Sequence, residues 1–348
     1  MNYMRAVVKY EDRDGAVSLQ QVPIPQIEPD EVLVKVSYAG ICGSDPHIYH
    51  GNVSYKVNIP IILGHEFSGE VVEVGQNVSE IKVGDKVTAE THADYCGSCI
   101  LCRTNNYHLC KQRKGFGFHV DGAFAEYIKV PKRIVHKLPL EVTLKEGALI
   151  EPLCVAYNAL VKNHAIKPGD FVVIIGPGPI GLLCVQIAKL MGAAEIGLIG
   201  TKDDEQRLNK GKILGATFTI NSFLEEPREY IITKTKDNYG VDLVVDTAGS
   251  SSTFQLAMDL VKPRGKIVKI GWGPNPLNYS LDPLISKSVT VHFSFSHTWD
   301  VWESCLTLVA HKLVDLESLI THELSLEKWK EGFDLIESKK GIKVILKP

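Results

Sequence analysis

Along the first third of the chain, apolar residues come in short runs broken by glycine and proline. Ala6-Val7-Val8, Val32-Leu33-Val34-Lys35-Val36 and Val71-Val72-Glu73-Val74 have the β-branched content of strands. Asp14-Gly15, Val83-Gly84-Asp85 and Asp121-Gly122 lie between such runs and signal turns. Up to about Val130 the pattern predicts a β-rich domain, a partly open barrel. Near Leu153 the texture changes. Val155-Ala156-Tyr157-Asn158-Ala159-Leu160 predicts a helix, and Phe171-Val172-Val173-Ile174-Ile175 a buried strand. Strands are then predicted over 195–199, 218–220, 241–246, 265–270 and 289–293, with helices over 182–191, 203–214, 224–236 and 252–261. Alternation of this kind builds a doubly wound parallel sheet, so the fold class is α/β. The tail predicts helices over 299–310 and 326–338 and a strand over 342–346.

Length and composition narrow the picture. At 348 residues the chain exceeds what one core usually serves, so two domains are expected. Hydrophobic residues at 45 % and charged residues at 23 % suit a soluble globular protein. A net charge of -3 gives no footprint for nucleic acid. No stretch nears the roughly 20 apolar residues that span a bilayer, and Met1-Asn2-Tyr3-Met4-Arg5 does not open a signal core. A cytoplasmic protein with no membrane partner is the expectation. Eight cysteines in such a chain, several of them clustered, point to metal before disulfides.

Three distant stretches carry zinc-type ligands: Cys42 in Gly40-Ile41-Cys42-Gly43-Ser44-Asp45, the His65-Glu66 pair in Leu63-Gly64-His65-Glu66-Phe67, and Glu151 in Ile150-Glu151-Pro152-Leu153. His65 and Glu66 are expected in a tight turn that Gly64 permits. Cys96, Cys99, Cys102 and Cys110 follow a C-x2-C-x2-C-x7-C spacing, read as a closed structural zinc site, with two disulfides or an iron–sulfur cluster as rivals. The run Gly176-Pro177-Gly178-Pro179-Ile180-Gly181 sits between a predicted strand and a predicted helix, the context in which G-x-G-x-x-G binds a dinucleotide. Gly176 serves the turn, Gly178 the approach of a pyrophosphate and Gly181 helix–strand packing. Pro179, Ile180, Arg207, Thr247, Ala248 and Gly271 are further candidate cofactor contacts. NAD sites usually place an acid about 20 residues beyond the motif. Here Gly200 stands at that place, followed by Thr201 and Lys202, which favours NADP over NAD. Asp203 and Asp204 are the rival acids.

Taken together, Gly40–Asp45, Gly64-His65-Glu66, the cysteine lobe, Glu151-Pro152-Leu153 and the glycine run resemble the zinc-containing medium-chain dehydrogenases, over nearly the whole chain. Glu151, and the run from Val83 to His92, look most like the polyol and threonine dehydrogenase branch. The resemblance implies a GroES-like catalytic domain over 1–153 and 294–348, a Rossmann domain over 154–293, two zinc ions per subunit and a homotetramer, or less often a dimer. It implies a catalytic zinc on Cys42, His65 and Glu66, with Glu151 as a direct or outer ligand. Ser44 and His47 match the family's hydroxyl–ribose–imidazole proton relay. The substrate it implies is a small alcohol, first a polyol or sugar alcohol, with threonine as the alternative. Where sorbitol dehydrogenases carry Arg-Tyr, this chain has Ser294-Phe295, which puts sorbitol itself in doubt. Ser294, Ser296, His297 and Tyr49 are the remaining candidates for hydroxyl contacts, while Cys154, Cys184 and Cys305 are expected in the core.

Overall fold

The computed structural model describes residues 2–273 and 276–348, so Met1 lies outside the described residues. The chain forms two compact units, Met1–Glu151 with His297–Pro348, and Pro152–Ser296.

The first unit is built on a seven-stranded sheet in the order Ile320–Ser325, Lys343–Lys347, Glu31–Gly40, Glu66–Val74, Lys86–Ala89 and Val135–Lys137, with Tyr127–Pro131 also paired to Glu31–Gly40. A smaller sheet joins Val17–Pro23, Tyr3–Lys9 and Ile61–Ile62. Alternate residues of Glu31–Gly40, notably Val32, Val34 and Val36, enter a core with Phe67, Val71, Phe124, Val344 and Leu346. The helix Trp329–Glu337 closes this core with Phe333 fully buried. Register places Gly40 opposite both Glu66 and Ile345, which brings three distant segments to one point. A Cβ on Gly40 would lie 2.4 Å from the Glu66 carboxylate, so glycine is needed there by close approach.

The second unit holds a six-stranded parallel sheet in the order Phe218–Asn221, Glu195–Gly200, Phe171–Ile175, Val241–Asp246, Val261–Lys269 and Thr290–Phe293. The connections run outward in opposite directions from Phe171–Ile175 and Val241–Asp246, so the strand order reverses between them. In a doubly wound sheet the ligand crevice opens at such a point, beyond the carboxyl ends of the strands. Those ends are Ile175-Gly176 and Asp246-Thr247.

The predicted α/β class and both sheet types are present, and the differences are local. Glu66 does not sit in a turn: it opens the strand Glu66–Val74, and the turn is confined to Gly64 at φ 90°. The helix predicted over 224–236 shortens to Pro227–Ile232. The hydroxyls of Thr233 and Thr235 bond back to Tyr230 and Ile232, and Asp237 turns left-handed at φ 54°. The helix expected at 155–160 starts earlier, as Ile150–Tyr157, and ends in a π-turn at Asn158–Lys162. Val17–Pro23 and Ile320–Ser325 are strands without the apolar run that would have marked them.

Candidate active site

Cys96, Cys99, Cys102 and Cys110 bring their sulfurs together on one loop, with S···S separations of 3.8, 3.5, 4.0 and 3.6 Å around the group. Four ligands at about 2.3 Å from one ion would stand about 3.8 Å apart. All four cysteines are free thiols at separations far too long for disulfides. Backbone amides of Ser98 and Cys99 hold the Cys96 thiol below its usual range, while desolvation and neighbouring sulfurs push Cys102 up. Crowded thiols that cannot all ionise unaided fit a shared dication.

The second cluster lies in the same unit. Ligand atoms of Cys42, His65 and Glu66 all fall within 4.8 Å of one another. Asp45, on the helix Ser44–Tyr49, accepts the Cys42 N–H at 2.8 Å and places its other oxygen 3.8 Å from His65 Nδ1. Among the described residues neither of those two atoms has a hydrogen-bond partner, so the carboxylate acts on the ring through its charge. Burial would lower the His65 pKa, but the Cys42 sulfur and the charges of Asp45 and Glu151 raise it to about 10. Burial lifts Asp45 to about 6, against the pull of His65. An enclosed site that strongly favours a positive charge on its imidazole is one that fits a cation.

Two neighbours of this cluster, Lys343 and Tyr55, are not among the residues singled out from the sequence. Lys343, only 2 % exposed, is ion-paired with Glu66 and donates to the Ile41 carbonyl at 2.9 Å. Burial opposes its charge, yet Glu66 and Cys42 hold its pKa above the ordinary lysine value. The Tyr55 hydroxyl, pushed up by burial and by the charges of Cys42 and Asp45, lies near the same sulfur, with Phe118 against Tyr55 and His65. A lone lysine in the apolar run Ile342–Leu346 was the available signal for Lys343.

Glu151 does not join the 4.8 Å group. It is buried in the first turn of Ile150–Tyr157, burial raises its pKa, and its charge acts on His65 and Lys343. One oxygen lies 3.1 Å from His297 Nε2. Ser44 Oγ is buried with no hydrogen-bond partner, whereas His47 is exposed on the same helix and does not touch it. Three of the residues expected at substrate hydroxyls are engaged within the protein. His297 is fully buried and bonded to Glu151 and Trp302, Tyr49 packs on Trp329 and Phe333, and Ser294 accepts a hydrogen bond from Asn158. Cys154, Cys184 and Cys305 are buried as expected.

Glu90, His92 and His297 form a third close group. Arg113 donates to His92 Nδ1 at 3.0 Å, so His92 Nε2 carries the proton facing the His297 carbonyl at 3.2 Å. Tyr107 donates to Glu90. With its ring nitrogens engaged and a guanidinium beside it, this group is a hydrogen-bonded polar core and unsuited to a cation.

In the second unit, the helix Pro179–Leu190 starts directly after Gly178, and its free N–H groups suit a phosphate. A Cβ on Gly181 would lie 1.9 Å from the Gly176 carbonyl, while one on Gly178 would meet nothing within 4 Å. Thr247 Oγ donates to the Ile175 and Gly176 carbonyls and pins the turn. The strand Glu195–Gly200 ends at Gly200, followed by exposed Thr201, Lys202 and Asp203. Asp204 is buried: it accepts from Thr201 N at 2.9 Å and Oγ at 2.8 Å and lies 3.6 Å from Arg207. The space beyond Gly200 Cα is filled by Asp204, Pro177 and Leu208 at 2.9–3.1 Å, so its glycine serves packing.

Among the described residues no helix is long and apolar enough to cross a membrane. Residues 28–140 match the alcohol dehydrogenase GroES-like domain and residues 179–311 the zinc-binding dehydrogenase family. The chain is 37 % identical over 346 residues to a sorbitol dehydrogenase of Halalkalibacterium halodurans, covering 99 % of each protein. It is 38 % identical over 349 residues to an L-threonine 3-dehydrogenase of Bacillus velezensis, again covering 99 % of each. A solved structure described as a zinc-binding dehydrogenase of Sinorhizobium meliloti, bound to NADP, superposes with a TM-score of 0.92 at 31 % identity over 100 % of both chains. The chain therefore belongs to the zinc-type medium-chain alcohol dehydrogenases, in the branch of the polyol and threonine dehydrogenases.

Proposed function

We propose that this enzyme transfers a hydride between a secondary alcohol of a small polyol or sugar alcohol and a nicotinamide cofactor, NADP in preference to NAD. The observation that carries the reading is the close group of half-buried Cys42 with buried His65 and Glu66, near in sequence to an unpartnered Ser44 hydroxyl. Cys42, His65 and Glu66 would hold a catalytic zinc, with Glu151 beside them, and the four-cysteine lobe a structural one. A zinc ion there supplies Lewis acidity that favours loss of the alcohol proton, and the nicotinamide supplies the hydride acceptor. The protein's own groups do the rest. Lys343 balances Glu66, so the ligand set is less anionic than its acids alone would make it. Asp45 sets a carboxylate 3.8 Å from His65 Nδ1 and favours positive charge there. Ser44 Oγ would take the alcohol proton, and exposed His47, which Ser44 does not touch, would release it to solvent by way of the cofactor ribose.

The glycine run, Pro179, Ile180, Thr247, Ala248 and Gly271 are proposed to bind the dinucleotide, with Thr201, Lys202 and Arg207 at the 2′-phosphate. Asp204 supports NADP by being spent on Thr201 and Arg207, which leaves it poorly placed to grip a ribose diol. Threonine is the second reading for substrate, favoured by the 38 % identity to a threonine dehydrogenase. A homotetramer is proposed on family resemblance, and a cytoplasmic setting on eight cysteines with no disulfide among them. An oxidation screen over polyols, secondary alcohols and amino acids with each cofactor tests the reading. Turnover of a polyol with NADP is expected; turnover of threonine alone would replace the substrate, and no turnover with any alcohol would remove the function.

A further inference from the structure

The immediate partners of Glu151 fix which proton faces it. Trp302 Nε1 lies 2.7 Å from His297 Nδ1, and both side chains are fully buried. An indole N–H can only donate, so His297 Nδ1 must accept. In a neutral imidazole the proton is then on Nε2, the nitrogen 3.1 Å from Glu151 Oε1. The ring cannot turn over without setting a C–H against the indole and removing the bond to the carboxylate. His297 also has its backbone tied, because its carbonyl accepts from His92 Nε2, whose ring is in turn held by Arg113. Trp302 lies on the helix Trp299–Ala310, and His297 stands two residues before that helix begins, so the indole reaches back from the helix to hold the ring. A neutral donor suits this place. It satisfies one carboxylate oxygen without adding positive charge next to a cation site, and it leaves the second oxygen unclaimed by His297.

We infer that His297, held in its donating tautomer by Trp302, is a positioning residue that aims Glu151 at the Cys42–His65–Glu66 site. The inference rests on the proposed assignment of that site to zinc. Partners of this kind commonly change metal affinity by about 10–100-fold.

The test is the rate at which a chromogenic chelator withdraws zinc from the holoenzyme, compared with thermal stability and the visible spectrum of the cobalt-substituted protein. Cys42→Ser identifies the release phase that belongs to this site. His297→Leu removes the donor at similar volume and is expected to speed that phase by about 10–100-fold and shift the cobalt bands, with the four-cysteine phase unchanged. His297→Gln can place an amide N–H near the position of Nε2 and is expected to restore the wild-type rate within about threefold. Trp302→Phe keeps a ring but loses the N–H; it is expected to speed release by about tenfold, and it carries the test if His297→Leu does not fold. Wild-type release and unshifted bands in both His297→Leu and Trp302→Phe would overturn the inference while leaving the zinc site intact. If wild-type protein shows no phase that Cys42→Ser removes, the zinc assignment itself fails.

Discussion

Lys343→Met tests whether a buried ion pair underlies the site. Methionine keeps the length and apolar character of the side chain, so packing changes little. It leaves Glu66, 1 % exposed, without its cationic partner, and the Ile41 carbonyl without its donor at 2.9 Å. Removing one member of a buried pair costs about 3–5 kcal/mol, because the remaining charge stays desolvated. For a domain of about 150–250 residues each kcal/mol moves Tm by about 2–4 °C, so a fall of roughly 6–20 °C is expected. Glu66→Gln on the Lys343→Met background removes the stranded charge and should recover about half of the loss or more. A double-mutant cycle, followed by calorimetry on metal-free protein, in which no zinc ion stands in for Lys343, should therefore show a coupling of at least about 1–2 kcal/mol. A loss below about 1 kcal/mol with additive effects would refute the reasoning, and Glu66 would then owe its compensation to groups other than Lys343.

Lys202→Ala should raise KM for NADP by about tenfold and leave NAD kinetics nearly unchanged, since it removes one exposed point charge; steady-state kinetics with both cofactors checks this, and a wild-type preference for NAD would refute the reading. Cys102→Ser should lower thermal stability and solubility, because a structural metal contributes folding free energy; unchanged melting and zinc content would contradict it. Glu303→Gln removes the partner 2.5 Å from His136 Nδ1. Burial opposes the charge of His136, but Glu303 and Glu90 raise its pKa, so its contribution is present below the ordinary histidine range and lost as pH rises through the raised value. The hydrogen bond to His136 lowers the Glu303 pKa, so that contribution is present above the ordinary carboxylate range and lost as pH falls through the lowered value. The substitution should thus destabilise most near about pH 5–6 and less at about pH 9, by about 1 kcal/mol or less because Glu303 is half-exposed. Urea unfolding at the two pH values measures it.

What could be read from the chain was whatever is encoded locally. The four-cysteine loop and the Gly176–Gly181 run are short motifs whose spacing alone implies geometry, and the structure places their atoms accordingly. The parallel sheet was legible because its strands are buried on both faces and show as unbroken apolar runs such as Phe171–Ile175. Val17–Pro23 and Ile320–Ser325 lack that signal because much of each is only partly buried. The partners of the ligand set escaped for a different reason. Lys343 reaches Ile41 across 302 positions and His297 reaches Glu151 across 146, through strand pairing and helix packing that no local pattern records. Gly200 shows the converse risk. It stands where an acid is usual in NAD sites, and its missing side chain also makes way for Asp204, Pro177 and Leu208.

The central claim is that Cys42, His65 and Glu66 hold a zinc ion on which alcohol oxidation depends. Zinc content and turnover of Cys42→Ser, set beside wild type, test it most directly. Wild type should carry about two zinc ions per chain and oxidise a polyol; Cys42→Ser should keep about one, retain cofactor binding and melting cooperativity, and lose turnover by at least about 100-fold. A Cys42→Ser protein with the wild-type zinc content and wild-type turnover would contradict the claim.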